Sequence, residues 1–299
     1  MNEIGHRIAD KIGEIYRSNN YSIAFLPYKR SMWNSMESVY EECIKSGAEA
    51  YCIPIPYYLM PDKKVTSEKD LFDNALDVSV LGSKTFDFVV IHYPYDHNNK
   101  VTQMLPEYHT ASLKRYGQVI YIPYSCTNMR QLRVQPGLAN IDYAFLNTEE
   151  EAASFIREWN DLGVDFTGKV FGLGSPKMDS VSKCAIDGDT TVIINSLGPF
   201  LSSPLSKIRS YEIVMLEEIN EGHQVIFRPH PLLRQTIKSM RPDMEYEYDE
   251  FIGWAKWIGV QIDESEYLED TLSRARLLIS DPSSVLEMWM STGREYKII

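Results

Sequence analysis

The sequence is poor in the features that mark several common protein classes. Its four cysteines, Cys43, Cys52, Cys126 and Cys184, stand far apart and form no Cys-x-x-Cys pair. Neither a zinc knuckle nor a redox dithiol is therefore indicated, and reduced cytosolic thiols are expected. No apolar run approaches the ~20 residues of a membrane-spanning helix. The N-terminus, MNEIGHRIADKIGEIY, has no signal-peptide core. Positive charge is in deficit: 30 Lys and Arg face 42 Asp and Glu, a formal net charge of -12. Such a surplus repels nucleic acid, so no nucleic-acid partner is expected. A Gly-x-Gly-x-x-Gly run is missing, and with it the nicotinamide fingerprint; no cofactor is called for. These absences point to a cytoplasmic globular protein, at most peripheral to the inner face of a membrane, and leave its oligomeric state open.

The chain has 299 residues, enough for two cores. Ile4, Ile8, Ile12 and Ile15 recur at near-helical spacing and predict a helix over 2–18. Short β-rich runs follow at 21–27, 49–55, 86–92, 118–123 and 141–147, with helical patterns at 32–46, 106–116 and 148–160. Thr148 before Glu149-Glu150-Glu151 predicts a capped helix start with an acidic first turn. The alternation resumes with strands predicted at 190–196, 223–229, 257–262 and 275–280, and helices at 205–221, 265–274 and 283–292. Near-continuous apolar strands alternating with helices imply parallel sheets covered on both faces. The expected architecture is α/β, with two doubly wound domains spanning 1–185 and 186–299. Ligands of such folds sit at the carboxyl ends of the strands.

Several clusters stand at such strand ends. In IFRPHP, a buried strand delivers Arg228 and His230 into a turn stiffened by Pro229 and Pro231. Arg228 offers a fork suited to phosphate, and an imidazolium at His230 would stabilise charge on a leaving phosphate. In SDPSSVLEMW, Asp281, Ser283 and Ser284 open a helix, an anion-binding arrangement, with Glu287 one turn in to meet ribose hydroxyls. An ordinary helix cap explains the same serines. In GLGSPKMD, Gly174, Ser175 and Lys177 read either as a ligand approach or as a plain interdomain turn. Lys29 and Arg30 follow the first strand as a second anion site or a solvated basic turn. HYPYDHNN offers His92 and Asp96 as acid/base candidates; its His-x₄-His spacing is a poor metal motif, and no metal is expected. Asn195 and Ser196 end another strand beside Gly198 and Pro199, as ligand contacts or turn chemistry.

Gly174-Ser175-Pro176-Lys177-Met178-Asp179, Arg228-Pro229-His230-Pro231 and Ser280-Asp281-Pro282-Ser283-Ser284 occur in order and at rough spacing. Together they resemble the CDP-glycerol glycerophosphotransferases of the teichoic-acid polymerase and primase type. FLPYKRSMWNSMESVY and IPIPYY resemble a bacterial subgroup of that family. The resemblance implies a GT-B fold, two Rossmann-like domains facing a cleft, with an acceptor-side first domain and a donor-binding second domain. It implies an enzyme that moves glycerol phosphate from CDP-glycerol to an acceptor hydroxyl, releasing CMP. The acceptor would be a polyol phosphate or glycan, lipid-linked in some members. His230 would then contact the donor phosphates and Ser283 and Ser284 the pyrophosphate; by analogy with other GT-B nucleotide sites, Glu287 would hold the ribose. The family's His-Gly-Thr stretch is replaced by Tyr124-Ser125-Cys126-Thr127, which leaves the general base unassigned. A C-terminal helix that GT-B proteins send back across the cleft is also not in the sequence, through truncation or natural shortening. The alternatives are a nucleotide-sugar glycosyltransferase or epimerase on the same fold, and a non-catalytic nucleotide-binding module of the same ancestry.

Overall fold

A computed structural model describes residues 2–299 apart from 94, 98, 127–132, 184–187, 199, 201–203 and 266. Cys184, Thr127 and Pro199 thus lie outside the described residues. The chain divides into two compact units, Met1–Ser180 and Val181–Ile299.

The first unit opens with helix α1 (Glu3–Tyr16), which buries Ile8, Ala9 and Ile12 along one face. Strands β1 (Ser22–Phe25) and β2 (Glu49–Cys52) follow, separated by a 3₁₀ turn (Arg30–Ser35) and helix α2 (Glu37–Ser46). Then come β3 (Tyr57–Leu59), β4 (Lys64–Thr66), β5 (Phe88–Ile91), β6 (Thr102–Met104), the short helix α3 (Thr110–Leu113), β7 (Gln118–Tyr121), β8 (Tyr143–Leu146), helix α4 (Glu149–Asp161) and β9 (Lys169–Gly172). Six of these strands form a parallel sheet in the order β2-β1-β5-β7-β8-β9. All four residues of β5 are buried, as a strand covered on both faces must be. The Thr148 hydroxyl accepts from the Glu151 N–H at 3.1 Å, so the predicted cap of α4 is present.

Helix α5 (Lys177–Lys183) runs into the second unit. There β10 (Thr190–Ile194), α6 (Pro204–Asn220), β11 (Val225–Arg228), α7 (Leu233–Met240), α8 (Glu245–Trp257), β12 (Gln261–Ile262), α9 (Leu268–Ser273), β13 (Ala275–Ser280), α10 (Ser284–Met290) and β14 (Tyr296–Ile298) follow. The five strands are all parallel, in the order β12-β11-β10-β13-β14. Phe200, Tyr211, Phe227 and Phe251 centre the core on one side of this sheet.

Three departures from the sequence pattern have physical causes. The helix expected over 32–46 breaks into a 3₁₀ turn and α2, with Met36 between them in a non-helical conformation. The strand expected over 257–262 shrinks to Gln261–Ile262, because α8 runs to Trp257 and Gly259, at φ +98°, turns the chain first. Strands β3, β4 and β6 form a separate antiparallel sheet from three-residue pieces too short to show alternation. Among the described residues, no helix is long and apolar enough to cross a membrane.

Candidate functional site

In the second unit, β10 lies between β11 and β13, and Ile194 is in register with both Arg228 and Ser280. Three loops therefore leave the same sheet edge side by side, carrying Asn195-Ser196, Pro229-His230 and Asp281 to Ser284. Neighbouring parallel strands are about 4.8 Å apart, so these loops must interlock. They do so through buried polar groups. The Asn195 side chain is 1% exposed; its Oδ1 accepts from the His230 N–H at 3.3 Å, and its Nδ2 donates to the Ser196 carbonyl at 2.6 Å. The Asp281 carboxylate accepts from the Ser196 N–H at 2.7 Å, from the Ser196 hydroxyl, and from the Tyr211 hydroxyl at 2.7 Å. Burial, and then the Asp281 charge, drive the Tyr211 hydroxyl pKa well above its ordinary value.

His230 is half-buried at the centre of this edge. Its Nδ1 accepts from the Leu232 N–H at 3.1 Å. With Nδ1 occupied as an acceptor, the ring proton sits on Nε2. Ser283 caps α10, its hydroxyl accepting from the Leu286 N–H at 3.2 Å and lying 3.2 Å from the Ser280 hydroxyl. Ser284 is half-buried and opens the helix, where backbone N–H groups lack intrahelical partners. Glu287 is exposed one turn along.

Arg228 departs from expectation. Its side chain is 5% exposed, and its guanidinium turns toward the loop after β12. Nη1 meets Asp263 at 3.2 Å, Ser265 at 2.8 Å and Thr271 at 2.9 Å, and Nη2 donates to the Ser265 carbonyl at 2.7 Å. Burial pushes the Asp263 carboxyl up, but bonds from Thr271 and Ser265, with the Arg228 charge, outweigh it and hold the carboxyl below its ordinary value. The fork expected for phosphate is a brace for residues 263–271. Asp263, Ser265, Thr271 and Tyr211 escaped the sequence reading because they lie far from any motif. The only signal was a polar Asp-Glu-Ser run just beyond a strand end.

The candidates of the first unit are mostly sealed. His92 is fully buried, with Nδ1 3.2 Å from the Ser35 hydroxyl and Nε2 accepting from the Tyr28 N–H at 3.5 Å. Burial pushes its imidazole down to about 3, the Lys177 charge adds to the shift, and a hydrogen bond to the Met32 backbone opposes it. Asp96 is 7% exposed; its two oxygens take the N–H and the hydroxyl of Thr110, each at 2.9 Å. Neither group is open to a substrate, so the acid/base reading of both gives way to a structural one. Lys29 donates to Glu68 at 2.7 Å and to the Tyr57 hydroxyl at 3.0 Å. Arg30 has its backbone N–H on Glu68 at 2.7 Å and its guanidinium 3.9 Å from Glu37. Both charges are compensated by carboxylates, which removes the expected anion site.

Gly174, at φ +107°, packs against Ile4, and Ser175 and Lys177 are buried. The segment is packed into the first unit instead of lying open to ligand. Its Asp179 accepts from the Ile4 and Gly5 N–H groups at 3.1 and 2.7 Å and so caps α1.

Among the described residues, one cluster has metal-ligand spacing: Glu218, Glu221 and His223. Arg276 Nη2 lies 3.0 Å from both the Glu218 Oε2 and the His223 Nδ1, so a guanidinium already holds the place a cation would take.

No protein-family model matches the chain, and no curated protein matches it. Solved structures do. S. aureus MnaA in a co-structure with UDP aligns with a TM-score of 0.59 at 10% identity, over 93% of this chain and 79% of that one. The Methanocaldococcus jannaschii UDP-GlcNAc 2-epimerase, in complex with UDP-GlcNAc and UDP, gives 0.56 at 15% identity, over 89% and 80%. The wall teichoic acid polymerase TagF gives 0.53 at 13% identity, over 99% and 78%. The fold is GT-B-like. At these identities the likeness is one of architecture, and a fold of this kind hosts many reactions. Within the GT-B-like chain, the edge carrying Asn195, His230 and Ser283-Ser284 is the place where the sequence-read residues converge.

Proposed function

We propose that the protein transfers glycerol phosphate, or a related polyol phosphate, from a CDP-activated donor to an acceptor hydroxyl, releasing CMP. The second unit takes the donor and the first the acceptor. The acceptor oxygen forms a bond to the donor's β-phosphorus, and the bond from that phosphorus to the oxygen of CMP breaks. Such transfers rest on positioning and on charge stabilisation at the phosphoryl group. The observation that carries this reading is the His230 ring: Nδ1 is engaged by Leu232, which makes Nε2 the donor nitrogen, on a strand-end platform fixed by Asn195. Beside it, the start of α10 adds further N–H donors and a favourable dipole for phosphate. Arg228 supports the site from behind by holding residues 263–271, and His92 and Asp96 take no part. The test is CMP release from CDP-glycerol with a glycerol-phosphate acceptor, in wild type and His230→Ala. Equal rates would remove His230 from the mechanism.

A second reading is a UDP-sugar epimerase or transferase, favoured by the likeness to the Methanocaldococcus jannaschii UDP-GlcNAc 2-epimerase, whose TM-score of 0.56 is above the 0.53 of TagF. A thermal-shift comparison of CDP-glycerol, CDP-ribitol and UDP-GlcNAc separates the readings. A shift with UDP-GlcNAc alone would overturn the CDP donor. CDP binding without turnover on any acceptor would instead favour a non-catalytic nucleotide module.

A further inference from the structure

We infer that the first unit holds a subsite for the hydroxyl groups of a polyol, beneath its three-stranded sheet; the inference rests on the reading that this unit takes the acceptor. Tyr28, Tyr95 and Tyr124 follow β1, β5 and β7, which are neighbours in the parallel sheet. All three stand past strand carboxyl ends, where α/β sheets take ligands. The antiparallel sheet covers them. Tyr57 of β3 packs edge-on against Tyr28, with centroids 5.1 Å apart, and Thr102 opens β6. Each strand of this cover has three residues. So small an element opens locally at less cost than the whole unit unfolds, which gives a ligand its way in.

Tyr28 and Thr102 are fully buried, and neither hydroxyl completes a hydrogen bond among the described residues. Buried hydroxyls are rarely left so, because the desolvation cost is not repaid. Burial pushes the Tyr28 hydroxyl pKa up; the Thr102 hydroxyl works against the shift, Tyr124 adds to it, and the Tyr95 hydroxyl works against it. The four hydroxyls therefore form one group. The polar atoms around them are already engaged. The Tyr93 hydroxyl donates to the Tyr108 carbonyl at 2.8 Å, and the Tyr57 hydroxyl to Glu68 at 2.9 Å. Lys29, over the Tyr57 ring, is met by Glu68 at 2.7 Å. His92, edge-on to Tyr28 at 5.4 Å, is kept neutral by burial. The open hydrogen-bonding capacity is thus that of neutral hydroxyls walled by aromatic rings. Such walls fit the C–H and O–H groups of a polyol and offer nothing to its phosphate.

The experiment is saturation-transfer NMR of the full chain with ribitol, in the absence of any nucleotide. Transfer from the protein's aromatic protons to ribitol is expected in the wild type. Tyr28→Phe should weaken ribitol binding by about three- to tenfold. The same change should raise the melting temperature, because it removes a buried hydroxyl that has no partner. Thr102→Val, of equal volume, should act in the same sense. Absence of transfer to ribitol in the wild type would overturn the subsite. So would a Tyr28→Phe variant with a lower melting temperature and unchanged ribitol binding, which marks a hydroxyl satisfied by buried water. The two readings fail separately. CMP release by a wild type that gives no ribitol signal sinks the subsite and leaves the transfer reaction standing. Ribitol binding with no CMP release on any acceptor supports the subsite and sinks the reaction.

Discussion

Between pH 6.5 and pH 4.5 the first unit should lose about 2.3 kcal/mol of stability through His92 alone. The ring is fully buried among Tyr28, Tyr93 and Ser35, and burial pushes its imidazole down to about 3. In the unfolded chain the same group titrates near its ordinary value of about 6.5. Between those values the unfolded state binds a proton that the folded state refuses. The stabilising contribution is therefore complete above the unfolded value and falls as pH falls, by about 1.4 kcal/mol per unit, until the folded value is reached. The assay is hydrogen exchange of the β5 amides of Val89 and Val90, corrected for intrinsic rates, at the two pH values. His92→Gln keeps a donor and an acceptor but does not titrate. The difference between wild type and variant removes the contribution of every other group. Parallel stability profiles would refute the reasoning, since a ring open to solvent would protonate with no cost to the fold. The result also bears on function, because a group that refuses protons at neutral pH is no proton carrier.

Arg228→Met should destabilise the second unit by about 3 kcal/mol, because it leaves Asp263 without its buried partner; urea unfolding reads this directly. Weaker CDP binding without any loss of stability would instead make the guanidinium a donor ligand. Tyr211→Phe should cost about 1–2 kcal/mol by removing one of the bonds to Asp281, measured as a lower urea midpoint at unchanged slope. Gly172→Ala should cost about 1–3 kcal/mol, because a Cβ there would press on the backbone of Thr148 and Glu149 at the start of α4. A Gly172→Ala variant as stable as wild type would show that the α4–β9 crossing has slack.

The parallel α/β architecture was legible because long buried strands such as VIFR and TTVII leave an apolar signature that helices then interrupt. Boundaries were less so. The strand β9 begins with Lys169 and is half-buried, so KVFG reads like the approach to a turn. Within the candidate site, Asn195, His230, Asp281 and Ser283 were visible as polar residues at strand ends. Which of them face a ligand and which hold the scaffold was not visible. Arg228 and Asp281 differ from an open ligand only in their partners, Asp263, Ser265 and Thr271 for one and Ser196 and Tyr211 for the other. Those partners are 35 to 85 positions away, and no local pattern encodes them. His92 was misread for the same reason: a histidine just past a strand looks exposed until the tyrosines around it are placed.

The cap that Asp179 provides for α1 joins residues 174 and 175 positions apart. During synthesis, α1 leaves the ribosome long before the aspartate that completes its first turn has been made. The first unit therefore gains this cap, worth about 1 kcal/mol, only when its last segment emerges. Any expressed fragment that ends before Asp179 would lack this cap and hold α1 less firmly, by about 1 kcal/mol.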